Sequence, residues 1–196
     1  MADYSVTQIT GVILAGGRGQ RMGGVEKGLQ LLQGKPLLTH VLERLQPQVS
    51  QVLINANRNA ERYAAFGHPV IADLITGYAG PLAGLHAALS AVTSDLVLTV
   101  PCDSPSLPHD LASRLIDALN AGSVRVAVAS VESKAEPAFC LVHRSALSSL
   151  SAYLAAGGRK MGAWQDSVNA CRVNFDDQAT AFRNINSPDD LAEFGQ

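Results

Sequence analysis

The apolar run Ile9-Thr10-Gly11-Val12-Ile13-Leu14 opens directly into Ala15-Gly16-Gly17-Arg18-Gly19-Gln20-Arg21-Met22-Gly23-Gly24-Val25-Glu26-Lys27-Gly28. Gly11 to Ala15 reads as a short strand buried on both faces, the pattern of a parallel sheet. The loop therefore leaves the carboxyl end of a core strand, where open α/β sheets bind their ligands. It carries six glycines and three cations. Glycine, lacking Cβ, lets backbone N–H groups close around an anion. Arg18, Arg21 and Lys27 supply positive charge, and a hydrogen bond to a charged group contributes roughly 1.5–3 kcal/mol. The combination points to a phosphate cradle; the alternative is a flexible surface loop.

Spacing removes two familiar phosphate loops. A Walker A loop needs Gly-x-x-x-x-Gly-Lys-Ser/Thr, but Gly19 and Gly24 run on into Val25 and Glu26. The dinucleotide fingerprint Gly-x-Gly-x-x-Gly begins at Gly17 and Gly19 but meets Met22 where its third glycine belongs.

The rest of the chain alternates apolar runs with helical spacing. Strands are expected near 9–14, 51–54, 69–72, 95–101, 124–130, 137–142 and 170–175. Helices are expected near 36–46, 59–66, 81–92, 108–120, 145–156, 159–166 and 188–194. Leu38, Val41, Leu42 and Leu45 show the helical period in the first of these. The alternation predicts an α/β, Rossmann-like, mostly parallel twisted sheet with helices on both faces. A chain of 196 residues, 47% of them apolar, fits one such domain over residues 1–196 and is no candidate for disorder. A net charge of −2 excludes broad electrostatic binding of nucleic acid, so an anion site must be local. Met1 to Ser5 has no basic or apolar segment and no later run is long enough to span a bilayer, so no membrane partner and a cytoplasmic location are expected. Cys102, Cys140 and Cys171 are too far apart for a CxxC site and are expected to be buried thiols. Ser187, Pro188 and Asp190 resemble a capping box opening the last helix.

Further polar residues stand at the ends of predicted strands. Asp103 follows Val97-Leu98-Thr99-Val100-Pro101-Cys102, where a carboxylate suits Mg²⁺ completed by water and phosphate oxygens. An Asx turn before Pro105 is the other reading. Asp73 follows Val70-Ile71-Ala72. A carboxylate there can accept from both N1–H and the exocyclic amine of guanine, or it can touch ribose. Asn55 ends the second strand and serves either a base or ribose contact or a turn. Gly80-Pro81-Leu82-Ala83-Gly84 suits a helix start in any case. Arg159 and Lys160 follow Gly157-Gly158 at a predicted helix start, where cations oppose the helix dipole and a phosphate would relieve the conflict; a solvated helix start is the alternative. Asn184 and Asn186 alternate in an extended segment, so their amides point the same way.

Leu14-Ala15-Gly16-Gly17-x-Gly19-x-Arg21-Met22-Gly23-Gly24, with Lys27-Gly28, resembles the signature loop of the nucleotidyltransferases, which release pyrophosphate from an NTP. Within that group the chain is most similar, over essentially its whole length, to the molybdenum cofactor guanylyltransferases. The resemblance implies the nucleotide-diphospho-sugar transferase type of fold. It further implies transfer of GMP from GTP to the terminal phosphate of molybdopterin, or of molybdenum-bound molybdopterin. By the same resemblance, residues to about 105 serve the nucleotide and 106–196 the acceptor. Leu14, Ala15, Gly16, Gly17, Lys27, Asn55, Asp73, Gly80, Gly84 and Asp103 line the nucleotide, with Asp103 the Mg²⁺ ligand. Lys27 lies near the α-phosphate, and Arg21 holds the departing pyrophosphate. Arg159, Asn184 and Asn186 fall in the pterin-binding portion. Molybdenum insertion proteins and acceptor molybdoenzymes or their chaperones are the implied partners. Relatives using CTP or a sugar or alditol phosphate share the loop chemistry, and a non-catalytic nucleotide-binding regulator is the alternative of another class.

Overall fold

The structure, a computed structural model, describes residues 4–16, 26–75 and 80–194. In chain order the elements are β1 (Ile9–Leu14), the hairpin β2 (Leu31–Leu32) and β3 (Lys35–Pro36), α1 (Leu37–Leu45), β4 (Gln51–Asn55), α2 (Ala60–Ala64) and β5 (Val70–Ile71). They continue with α3 (Pro81–Ala91), β6 (Leu96–Pro101), α4 (Leu111–Ala121), β7 (Val126–Val131), β8 (Lys134–His143) and α5 (Leu147–Ala155). The chain ends with α6 (Met161–Ser167), β9 (Cys171–Asn174) and α7 (Pro188–Phe194).

Seven strands form one sheet in the order β5-β4-β1-β6-β8-β7-β9. β5, β4, β1 and β6 are mutually parallel. β8 runs against both its neighbours, and β9 is parallel to β7. The expected Rossmann-like, mostly parallel sheet is therefore present, with β8 the reversed strand. Its reversal comes from the turn at Glu132-Ser133, which joins Val131 to its partner Lys134 with φ of 48° and 64°. Positive φ at both central residues is the geometry whose twist matches a tight hairpin.

Side chains alternate across each strand, so each face collects its own core. On one face Ile9, Ile13, Leu98, Val100 and Leu141 pack against α1, α2 and α4. On the other Val12, Leu53, Val97, Cys140 and Val142 pack against α3, α5 and α6. α1 buries the stripe Leu37, Leu38, Val41, Leu42 and Leu45. Each such side chain contributes about 1.5–3 kcal/mol when fully buried. Cys102 and Cys140 are buried as expected, and burial pushes the Cys140 thiol up to about 11. Cys171 departs from expectation: it lies on the edge strand β9 and is half-buried.

Three strand ends are level at the carboxyl edge. Leu14 is in register with Asn55 of β4 and Pro101 of β6. The pairing continues past the strands, as Ala15 N donates to Asn55 O at 2.8 Å and Cys102 N to Leu14 O at 3.2 Å. The C-terminal segment returns to this edge. Ile185 N donates to Asp103 O at 2.8 Å, and the buried Ile185 side chain packs with Leu32 and Leu37. The capping box forms: Asp190 N donates to Ser187 Oγ at 3.1 Å and Ser187 N to Asp190 Oδ2 at 2.9 Å. Asn186 N adds a bond to the same Oδ2 at 2.7 Å, and these N–H groups hold the Asp190 carboxyl below its ordinary range.

Candidate active site

Two carboxylates sit at the carboxyl edge, each at the end of its own strand and each held differently. Asp103, just beyond β6, accepts from Lys27 Nζ through Oδ2 at 2.9 Å. The same Nζ donates to Asn186 Oδ1 at 2.6 Å. Ser104 Oγ bonds Asn184 Oδ1. Asn184 and Asn186 thus both face the Asp103 turn, while Ile185 between them points into the core. The structure joins Asn186 to Lys27 and Asn184 to Ser104, across the expected division near residue 105.

Asp73, two residues past β5, is held by neutral donors. Asn55 Nδ2 donates to its Oδ1 at 2.9 Å and Asn57 Nδ2 to its Oδ2 at 2.8 Å. The Asp73 N–H returns a bond to Asn57 Oδ1 at 2.8 Å. Asn57 is a contact that sequence reasoning passed over in favour of Asn55. Its signal was the two-residue spacing after a strand, which puts both amides on one side.

Gly84 and Gly80 explain the Gly-Pro-Leu-Ala-Gly segment. A Cβ on Gly84, inside α3, would overlap Asn55 Oδ1 and stand 2.8 Å from both Asn55 Cγ and Leu14 Cδ2. Only glycine lets α3 approach the ends of β1 and β4 this closely. Gly80 takes φ 66° and ψ −154° ahead of Pro81, a conformation essentially confined to glycine. Gly16 faces the same pair of amides: a Cβ there would lie 3.0 Å from Asn57 Nδ2 and 3.3 Å from Asn55 Oδ1. Leu14, Ala15, Gly16, Asn55, Asp73 and Gly84 are therefore assembled around the ends of β1, β4 and β5, beside Lys27 and Asp103, while Gly80 lies exposed at the start of α3. Gly17 and Arg21, with Arg18, lie outside the described residues.

Arg159 is placed elsewhere. Its Nη1 donates to Leu154 O at 3.0 Å and Gly158 O at 2.6 Å, so its charge meets the carbonyl end of α5. For Arg159 the dipole conflict foreseen at the start of α6 is thus met by the preceding helix, because a cation at a helix C-terminus is favourable; Lys160 stays at the N-cap of α6.

Glu26 is a buried carboxylate that sequence reasoning left without a role. Its partners Arg58, Asn59 and Tyr63 lie over thirty positions away, and no spacing signals them.

As a metal site, the Asp103 turn offers hard oxygen donors, a carboxylate with the amide carbonyls of Asn184 and Asn186 nearby. Among the described residues no three His, Cys, Asp or Glu side chains gather as a metal-holding group. A single carboxylate fits Mg²⁺, which keeps several waters and takes phosphate oxygens from its substrate.

A mostly parallel sheet with carboxylates, amides and a lysine converging on three level strand ends defines a nucleotide-handling α/β enzyme. Residues 11–168 match the MobA-like NTP transferase domain. The chain belongs to that family of nucleotidyltransferases. It is 50% identical over 182 residues to the molybdenum cofactor guanylyltransferase of Yersinia pseudotuberculosis serotype O:1b, a match covering 93% of this chain and 92% of that one. Identity to the molybdenum cofactor guanylyltransferase of Cupriavidus necator is 49% over 188 residues, covering 93% and 94%. The crystal structure of molybdopterin-guanine dinucleotide biosynthesis protein A from Archaeoglobus fulgidus matches with a TM-score of 0.80 at 27% identity, over 95% of this chain and 96% of that one.

Proposed function

We infer that the protein transfers GMP from GTP to the terminal phosphate of molybdopterin, free or molybdenum-bound, giving the guanine dinucleotide form of the molybdenum cofactor and pyrophosphate. The observation that carries this reading is the meeting of Lys27 with Asp103 at 2.9 Å, level with the Asn55–Asp73 pair, in a chain half identical to molybdenum cofactor guanylyltransferases.

In the reaction, an oxygen of the acceptor phosphate forms a bond to the α-phosphorus of GTP as the bond from that phosphorus to the bridging oxygen of the β-phosphate breaks. Pyrophosphate leaves with the electron pair. The acceptor oxygen is already anionic, so no side chain need remove a proton. The protein's contribution is positioning and charge stabilisation. Lys27 stabilises the charge growing at the α-phosphate, and its bond to Asn186 Oδ1 restrains the ammonium. Arg21 and the loop amides hold the departing pyrophosphate. Asp73, whose carboxylate is met among the described residues by the amides of Asn55 and Asn57, accepts from the guanine edge or the ribose. When bound, Mg²⁺ supplies charge neutralisation at the phosphates, and Asp103 is the residue to hold it. Arg159, Asn184 and Asn186 serve the acceptor side, Asn186 through Lys27.

No described helix is long and apolar enough to cross a membrane. We place the enzyme in the cytoplasm, handing its product to molybdenum insertion proteins, acceptor molybdoenzymes or their chaperones.

The test is incubation with molybdopterin, Mg²⁺ and each of GTP, CTP, ATP and UTP, reading pyrophosphate and the mass of the product. The guanine dinucleotide from GTP alone is expected. Product from CTP, transfer to a sugar or alditol phosphate instead, or GTP binding without pyrophosphate release would overturn the reading.

A further inference from the structure

We propose that Glu26 is a positioning residue that sets Lys27 by tying the lysine's turn to the loop that also holds Asp73. The inference rests on the reading of Lys27 as the group at the α-phosphate.

Glu26 is 8% exposed, and both its oxygens are bonded. Oε1 accepts from Asn59 Nδ2 at 3.0 Å and pairs with Arg58 Nη2 at 3.2 Å; Oε2 accepts from Tyr63 OH at 3.2 Å. A carboxylate this deeply desolvated is costly unless paired and fully hydrogen-bonded, so such a group is strongly fixed in place once it is satisfied. The backbone of Glu26 also closes the turn that carries the lysine, with Leu29 N donating to Glu26 O at 3.1 Å. One residue past Lys27, Gly28 is wedged between two groups. A Cβ on it would stand 3.3 Å from Tyr63 OH and 3.4 Å from Cys102 Cβ. Cys102 immediately precedes Asp103. The Lys27 turn is therefore gripped on one side by the Glu26–Tyr63 pair and on the other by the strand end that presents Asp103.

The loop from Asn55 to Asn59 is the shared element. Asn55 and Asn57 grip Asp73; Arg58 and Asn59 grip Glu26. Asn59 takes φ 52° and ψ 35°, a left-handed conformation that asparagine tolerates better than most residues. The loop thus fixes the nucleoside-side carboxylate and the phosphate-side lysine relative to one another. A displacement of about 1 Å in such a group is enough to lower a rate about a hundredfold.

The experiment combines rates with a structural readout that needs no turnover. Glu26→Ala, Glu26→Gln and Tyr63→Phe are compared with the wild type, the last two preserving shape should the first fail to fold. kcat and KM for GTP come from pyrophosphate release with molybdopterin present. Lys27 exposure comes from labelling with an amine-reactive reagent and peptide mass mapping, with exposed Lys35 as the internal reference. Glu26→Ala is expected to lower kcat about tenfold or more, to leave KM for GTP little changed, and to raise Lys27 labelling relative to Lys35. Glu26→Gln should do the same to a lesser degree, and Tyr63→Phe least. In a Lys27→Ala background the Glu26→Ala change should cost no further rate, since coupled residues are non-additive. A folded Glu26 variant with unchanged kcat and unchanged Lys27 labelling would overturn the proposal, as would an equal rate loss with and without Lys27. A wild type that releases no pyrophosphate from GTP defeats the proposed function instead, and the labelling comparison still decides whether Glu26 places Lys27.

Discussion

Asp73 and Asp103 stand at the same edge of one sheet, yet among the described residues one meets amides and the other meets a cation. Asp103 Oδ2 accepts from the Lys27 ammonium, in a pair whose lysine and aspartate side chains are 26% and 13% exposed. Asp73 is held by two amides and its own backbone, none of which carries charge. A carboxylate paired with an ammonium is suited to exchange that partner for a cation or to share it with a phosphate. A carboxylate fixed by neutral amides keeps its full negative charge for N–H or O–H donors. On the proposed function, the difference separates a charge-handling side of this edge from a recognition side.

The largest expected effect lies on the charge-handling side. Asp103→Ala should lower pyrophosphate release by about 1,000-fold, the scale of losing a preorganised electrostatic group. The fold should survive, because Ile185 bonds the main-chain oxygen of Asp103 rather than its side chain. Retained Mg²⁺-dependent pyrophosphate release in this variant would remove the metal assignment.

On the recognition side, Asp73→Asn should reduce kcat/KM for GTP by about 10- to 100-fold, matching roughly 1–3 kcal/mol for a two-point base contact. Inosine triphosphate lacks the exocyclic amine and 2′-deoxy-GTP lacks the ribose hydroxyl, so the pair tells where the carboxylate points. If Asp73 reads the base, the wild type prefers GTP to inosine triphosphate and the variant loses that preference. Loss of discrimination against 2′-deoxy-GTP assigns it to ribose instead. Equal behaviour of wild type and variant toward all three would end the distinction between the two carboxylates.

Gly84→Ala perturbs the recognition side without touching a charged group. The new methyl overlaps Asn55 and crowds Leu14, so one of them must shift. Overpacking of this kind costs about 1–3 kcal/mol of stability. The expected outcome is a lower melting temperature with weakened GTP binding, and unchanged affinity would show that Asn55 does not hold Asp73 for the nucleotide.

Much of this arrangement was legible before folding. β1, β4 and β6 announce themselves because strands buried on both faces are largely apolar, and Asn55 at the end of β4 and Asp103 just beyond β6 inherit the carboxyl edge. The direction of β8 was not legible. Periodicity carries no sense of direction, and Glu132-Ser133 lacks the Asn-Gly or Asp-Gly composition that marks a tight hairpin. The two-residue strands β2 and β3 are too short to show alternation. Side-chain partners were the least accessible layer. Lys27 and Asn186 are 159 positions apart, and Glu26 meets Tyr63 only because α2 and the Lys27 turn pack against the same face.

Arg159 gives the smallest effect and tests whether the comparison of two sides needs a third. Its guanidinium is bonded to carbonyls at the end of α5, in a loop exposed to solvent. As a helix cap alone, Arg159→Ala should cost about 0.3–1 kcal/mol of stability, with kcat and both KM values unmoved. As an acceptor contact, the same substitution should raise KM for molybdopterin while KM for GTP stays constant, because Lys27, Asp103 and Asp73 are untouched. Arg159→Lys then divides the two readings further: lysine can still cap a carbonyl with one donor, but it cannot make the paired, planar contact to a phosphate that a guanidinium makes. A raised acceptor KM in both variants with no change in melting temperature would place the cation at the substrate and leave the α5 carbonyls to solvent.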